Sequence, residues 1–320
     1  MKTTRMVLAT ILVSSLWFCG CAKKTPTTPQ AASPSKPKIA LVMKSLANEF
    51  FKTMEEGAKA HQQANTGKYE LIVVGIRNEE DVAQQINYVE TMIARKVQAI
   101  VIAPADSKSL IPVCKKAIDA GIVVVNIDNK LDAEVLTASN LKIPFVGPDN
   151  RKGARIAGEY LAAKLKPDDK VAIVEGVPSA FNGIQRRLGF EDGMKAAKMN
   201  IVSTQAGNWE TQKANQVIAG ILTTHANLKA VLCANDSMAL GAVAAIKAAN
   251  KSDQVLIVGF DNIEAARMLL KEGKLLCTVD QHGDQLAAFG IEYALEILTN
   301  KSTPADKETP VDLITGETLK

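Results

Sequence analysis

The chain has 320 residues and a mass of 34.2 kDa, more than one ordinary hydrophobic core encloses and about right for two domains. Hydrophobic residues make up 47% and charged residues 22%, a globular balance, and the formal net charge is +4. Lys2 and Arg5 fall in a segment read below as removed, which leaves +2, too little to attract a polyanion, so nucleic acid is excluded as an expected partner.

The chain opens with a basic start (Lys2, Arg5), an apolar run from Met6 to Phe18, then Gly20 and Cys21. That run is short for a membrane span and has the three-part layout of an export signal, predicted over residues 1–20. A small residue just before a cysteine resembles the lipobox of bacterial lipoproteins, although Phe18 and Cys19 depart from its usual residues. The resemblance implies that Cys21 becomes a lipidated first residue; an ordinary signal peptide or an uncleaved anchor is the alternative. Residues 21–36, rich in Pro, Thr, Ser and Ala, lack the bulk to bury apolar surface and read as a flexible tether.

From Lys38 onward, short β-branched runs alternate with longer amphipathic segments. "KIALVM", "ELIVVG", "QAIVIA" and "IVVVNI" form a first set of strands; "VAIVE", "NIVST", "KAVLCA", "VLIVG" and "LLCTVD" form a second. Near-continuous apolar strands imply a sheet covered on both faces, hence parallel strands with crossover helices. Helices are predicted over Asn78 to Lys96, from an Asp106 cap to a Gly121 stop, and along "NDSMALGAVAAIKAAN", where Asp236 reads as the cap. The expected fold is α/β, with two similar doubly wound parallel-sheet lobes and a chain crossing near Val146 to Asp149.

Such sheets bind ligands beyond the carboxyl ends of their strands. Polar residues recur there. Lys44, Asn48, Phe50 and Phe51 follow the first strand, and Asp128 and Asn129 follow "VVVNI". In the second half, Asn235 and Asp236, Asp261 and Asn262, and Asp280 and Gln281 follow successive strands. Short carboxylates and amides can bridge neighbouring hydroxyls, and a ring offers a flat face to the C–H side of a sugar. Asp128 and Asp261 read as ligand contacts, whereas Asn129 and Asn262 fit a turn role equally well. Arg186 supplies fixed donors for oxygen lone pairs, while Arg187 fits a surface position better. Trp209, at another strand-end loop, either stacks on a ligand or wedges the domains. Replacing Asp128 or Asp261 by Ala is expected to remove binding and leave the melting of the empty protein nearly unchanged.

Catalytic patterns are missing from the text of the chain. The three histidines are scattered, and no GxSxG, GxGxxG or Walker lysine occurs. No cofactor, metal site or enzyme activity is expected. Cys114, Cys233 and Cys277 are widely spaced and suggest neither a metal nor a disulfide framework.

Taken in order, "KIALVMKSLANEFF", "VVVNIDNK", "RRLGF", "CANDSMALGAV", "VGFDN" and "CTVDQ" resemble the signature of the periplasmic sugar-binding proteins of bacterial ABC importers, the ribose- and allose-binding group. The resemblance covers the body from about Lys38 onward. It implies the type I periplasmic-binding-protein fold, two lobes joined by a three-segment hinge, with further crossings near Gln281 and Pro310. The implied domains are residues 37–148 plus 282–309 for one lobe and 149–281 plus 310–320 for the other. Implied ligand contacts are Lys44, Asn48, Phe50, Phe51, Asp128, Asn129, Arg186, Trp209, Asn235, Asp261 and Gln281. Asn129 stands where the ribose-type pattern has Arg and Glu49 where it has Pro, while Lys44 is closer to the allose-type pattern, so a hexose or other polyol is as strong an expectation as ribose. The resemblance further implies a monomeric envelope protein that captures a monosaccharide or polyol by hinge closure and delivers it to an ABC permease. The alternative is a sensor presenting a sugar-like signal to a membrane receptor. A DNA-binding regulator with this body would need helices that the signal and tether do not provide.

Overall fold

The computed structural model describes residues 36–300 and 304–319. The export signal, Cys21 and the tether as far as Ser35 lie outside the described residues. Two six-stranded sheets organise the rest. The first contains β1 (Lys38–Met43), β2 (Glu70–Gly75), β3 (Ala99–Ile102), β4 (Val123–Ile127) and β5 (Phe145–Pro148). The second contains β6 (Lys170–Glu175), β7 (Asn200–Ala206), β8 (Ala230–Cys233), β9 (Leu256–Val258) and β10 (Cys277–Asp280). Two short strands, β11 (Lys307–Thr309) and β12 (Asp312–Thr315), complete them. The orders are β2, β1, β3, β4, β5, β11 and β7, β6, β8, β9, β10, β12, so one arrangement occurs twice. All pairings are parallel except that of β12 with β10. Central positions such as Leu41, Val101, Ile173 and Leu232 are fully buried, as continuous β-branched and leucine runs covered on both faces require.

Helices connect the strands: α1 (Glu49–Ala64), α2 (Val82–Ala94), α3 (Ile111–Asp119) and α4 (Ala133–Ala138) on the first sheet, then α5 (Asn150–Ala162), α6 (Phe181–Ala196), α7 (Thr211–Thr224), α8 (Asp236–Ala248) and α9 (Glu264–Lys271) on the second. The last, α10 (Gly283–Asn300), returns to pack on α1, β3 and β4. The chain therefore passes between sheets three times: after β5, between β10 and α10, and between β11 and β12. Gly57 lets α1 and α10 approach closely, since a Cβ there would overlap the Asp284 carbonyl.

Several local expectations need correction. A fifth strand, β5, lies within the stretch expected only to cross between lobes. Asp106 does not cap α3; its Oδ1 accepts from the Lys108 and Ser109 amides in the preceding turn, and the helix starts at Ile111. The helix expected over Asn78 to Lys96 spans Val82–Ala94, capped by Asp81. Asn235 caps α8 by accepting from the Met238 amide, and Asp236 is its first residue.

At the point where strand order reverses in the first sheet, Gln85 is fully buried. Its Nε2 donates to the Met43 and Ala103 carbonyls, and its Oε1 accepts from the Ala105 amide. One side chain thus satisfies the backbone where β1 and β3 diverge and fixes the two strand ends that frame the crevice.

Candidate functional site

The strand ends of both sheets meet around one small cavity, narrow enough that its free space of about 20 Å³ admits little more than one water-sized sphere. From the first lobe come Lys44, Asn48, Phe50, Phe51, Glu79 and Asp128; from the second come Asn182, Arg186, Trp209, Asn235, Asp261 and Gln281.

Asp128 sits just past β4 with φ of 61°, a left-handed conformation uncommon for a non-glycine residue. The buried Asn126 holds this turn: its Nδ2 donates to the Asn129 carbonyl at 2.8 Å and its Oδ1 accepts from the Leu131 amide at 2.8 Å. The Asp128 carboxylate lies 3.1 Å from Lys44 Nζ, both side chains being nearly inaccessible. Lys44 Nζ is also 5.5 Å from the ring centres of Phe51 and Trp209. Phe50 and Phe51 pack edge to face at 5.1 Å, so consecutive helix positions both reach the cavity.

In the second lobe Arg186 projects from α6. It donates to Asn150 Oδ1 at 2.7 Å, the Ala234 carbonyl at 2.9 Å and Asp261 Oδ1 at 3.2 Å. Its guanidinium lies 3.8 Å from the Phe260 ring centre. Arg187 points away, to Glu175 and Glu191. Gln281 Nε2 donates to the same Asp261 oxygen at 2.7 Å. Burial pushes the Asp261 carboxyl well above the ordinary carboxylate range, opposed by the Arg186 charge. Burial likewise lowers the Arg186 pKa against the pull of Asp261, and an arginine stays charged through such shifts. Behind them Asp236, raised to about 6 by burial, accepts from Thr278 Oγ1 and the Ile263 amide.

Trp209 has φ of 69° and Asp261 φ of 124°. With Asp128, three cavity residues therefore hold strained backbone, a feature that concentrates where surrounding structure over-determines a geometry. Trp209 lies against Gly176, where any Cβ would overlap the indole.

Contacts between lobes flank the cavity. Asn208 Nδ2 donates to Glu80 Oε1 at 3.0 Å, Ser237 Oγ to Asn48 Oδ1 at 3.3 Å, and the Phe181 amide to Ser107 Oγ at 2.9 Å. Inside, Glu79 Oε2, Arg186 Nη2, Trp209 Nε1 and Gln281 Oε1 are buried without a hydrogen-bond partner, and Asp128 Oδ2 has only its ion pair with Lys44. Unpaired buried polar atoms are costly, so four of them with one ion-paired oxygen around one hollow describe a surface complementary to a ligand rich in hydroxyls.

Ten of the eleven expected protein contacts line this cavity. The exception is Asn129. Its Nδ2 donates to the Pro104 carbonyl, and its Oδ1 accepts from the Asn182 amide and Ser107 Oγ, so its amide is spent joining the lobes. Asn48 and Asn235 line the cavity yet also cap α1 and α8. Glu79 and Asn182 are cavity residues that sequence reasoning missed. "NEED" reads as a helix start, and Asn182 follows a loop with no strand immediately before it. Among the described residues no three His, Cys, Asp or Glu side chains cluster closely enough to hold a metal. No helix among them is long and apolar enough to cross a membrane. Cys114, Cys233 and Cys277 are free and buried, their thiol pKa values raised by burial.

Residues 39–302 match the family model of the periplasmic binding protein domain. A D-ribose/D-allose-binding protein of Pseudomonas aeruginosa is 53% identical over 310 residues, covering 95% of this chain and 97% of that protein. A crystal structure of an ABC transporter solute-binding protein from Burkholderia multivorans, its unknown ligand interpreted as α-D-erythrofuranose, is similar with a TM-score of 0.86 and 56% identity; the match covers 88% of this chain and 100% of that one. A periplasmic solute-binding protein from Actinobacillus succinogenes with bound D-allose gives a TM-score of 0.84 and 37% identity, covering 88% of this chain and 99% of the other.

Proposed function

The chain belongs to the periplasmic binding protein family, and from that premise we propose that it is the solute-binding subunit of an ABC sugar importer. It captures one monosaccharide or related polyol between the lobes and hands it to a membrane permease. The observation that carries this reading is four buried polar atoms without partners, with the ion-paired Asp128 beside them, facing three aromatic rings where the strand ends of both sheets meet. A pyranose or furanose offers hydroxyls for the first and a C–H face for the second. D-Allose and D-ribose are the leading candidates.

Residues 37–148 with 282–309 move as one body against 149–281 with 310–320, bending at the three crossings. Closure is a two-state equilibrium that the sugar biases by touching both walls, hinge closure around a ligand being general behaviour for periplasmic binding proteins. The ligand leaves chemically unchanged, so the protein works as a carrier without turnover. Cys21 carries a lipid that tethers a monomer to the membrane.

Calorimetric titration with D-allose, D-ribose, myo-inositol and D-arabinose tests the binding. Saturable heat with at least one sugar, recovered intact afterwards by mass spectrometry, is expected; no heat with any of them, using protein unfolded and refolded to strip ligand, would refute it. Mass analysis of the mature amino terminus, compared with Cys21→Ala, tests the anchor.

A further inference from the structure

The cavity brings three carboxyl groups against two cations. Lys44 is 3.1 Å from Asp128 and Arg186 3.2 Å from Asp261, so each cation has its own partner and Glu79 has none. Glu79 is 2% exposed. Its Oε1 accepts from Asn48 Nδ2 at 2.9 Å, and its Oε2 is buried with no partner. The charged groups around it are Lys44 after β1, Asp128 after β4, and Glu210 across the cleft before α7. On its own segment, the Arg77 side chain faces solvent and the Glu80 carboxylate is held by Asn208. Lys44 favours ionisation of Glu79, while Asp128 and Glu210 oppose it, and burial outweighs them all. A buried carboxyl without a cation avoids the cost of its charge by taking a proton. Its environment accordingly raises its pKa to about 7.

The groups that bury Glu79 belong partly to the other lobe. Ser237 reaches Asn48, its hydrogen-bond partner, and Asn208 reaches its neighbour Glu80. Parting of the lobes would break these contacts and open Glu79 to water, returning it toward an ordinary carboxylate. Resting on the sugar-binding reading above, we propose that Glu79 meets the sugar as a neutral carboxylic acid, donating its proton to a sugar oxygen, so that capture takes up one proton from solvent. The five cavity atoms then comprise three donors, Arg186 Nη2, Trp209 Nε1 and the Glu79 hydroxyl, and two acceptors, Asp128 Oδ2 and Gln281 Oε1.

The test is calorimetry of D-allose binding in phosphate and in bis-tris at about pH 6, then across pH 5 to 9. Between an ordinary carboxylate and a group near 7, the difference in protonation at pH 6 is about 0.9 proton. The wild-type heat should therefore differ between buffers by nearly one proton's worth of the difference in their ionisation enthalpies. Affinity should weaken by up to about tenfold per unit from about pH 5 to about pH 7 and level off above about pH 8. Glu79→Gln, permanently neutral, should bind D-allose with no proton uptake and an affinity flat across that window. Buffer-independent heat in the wild type would overturn the proposal, even if Glu79→Gln failed to fold. A slope that survives in Glu79→Gln and vanishes in Asp261→Asn would assign the proton to Asp261 and overturn it too. Binding of D-allose without proton uptake defeats this inference alone, whereas no heat with any of the four sugars at any pH defeats the sugar-binding reading beneath it.

Discussion

Replacing Asp261 separates its structural duty from its contact with ligand. The side chain is nearly inaccessible and accepts from both Arg186 and Gln281. In Asp261→Ala the Arg186 guanidinium, 2% exposed, keeps only neutral partners, Asn150 and the Ala234 carbonyl. Removing one member of a buried ion pair costs about 3–5 kcal/mol. Both residues line the cavity, which the proposed opening would expose to water, so the lower end, about 3 kcal/mol, is expected. At roughly 2–4 °C per kcal/mol for a cooperative unit of about 150–250 residues, Tm should fall by about 6–12 °C. The sequence alone leads instead to the expectation that melting hardly changes, and the same measurement decides between the two. Asp261→Asn retains an acceptor for both donors and should lose only about 1 kcal/mol. For binding, one hydrogen bond to a charged group is worth about 1.5–3 kcal/mol, so either variant should weaken D-allose by about 10- to 150-fold. Differential scanning calorimetry of stripped protein, with titration calorimetry alongside, measures both. An Ala variant melting within about 2 °C of wild type would refute the ion-pair argument; wild-type affinity in either variant would refute the ligand contact.

Gly176→Ala should displace the Trp209 indole and weaken sugar binding by at least about tenfold, while far-UV circular dichroism stays unchanged. Because Trp17 lies in the segment read as the export signal, the mature protein's tryptophan fluorescence should report Trp209 alone, and its ligand-induced change should shrink in that variant. Ser107→Ala removes a contact between lobes that touches no ligand, and losing about 1 kcal/mol from the closed form should weaken affinity about fivefold. Unchanged affinity by titration calorimetry would show that this contact does not bias closure.

Much of this arrangement is readable from the sequence because its signals are local. Long apolar runs such as "IALVM" and "AIVI" point to strands covered on both faces, and many of the polar residues just past their ends line the crevice. What escapes depends on neighbours distant in the chain. β5 is four residues containing Gly147 and Pro148, too short and too broken for a periodic signal, and is held by pairing with β4 and β11. The adjacent Asn235 and Asp236 both suit a cap, and Thr278 and Ile263, far along the chain, decide which one is free to serve. Nothing in "NIDNK" reveals that Pro104, Ser107 and Asn182 converge on the Asn129 amide. Glu79 goes unnoticed because an acidic run before a helix is ordinarily just a favourable helix start.

The three passages between the sheets restrict what the molecule can tell its receiver. A single link would let the halves swivel, whereas three side by side leave little freedom beyond opening and shutting, like a book on its spine. The guest itself is walled in by residues only a few percent exposed, so no outside surface can inspect it. A membrane partner is left to sense one variable, the angle between the covers. A guest that fits imperfectly would then be reported as a half-shut book and transported weakly, even when held tightly.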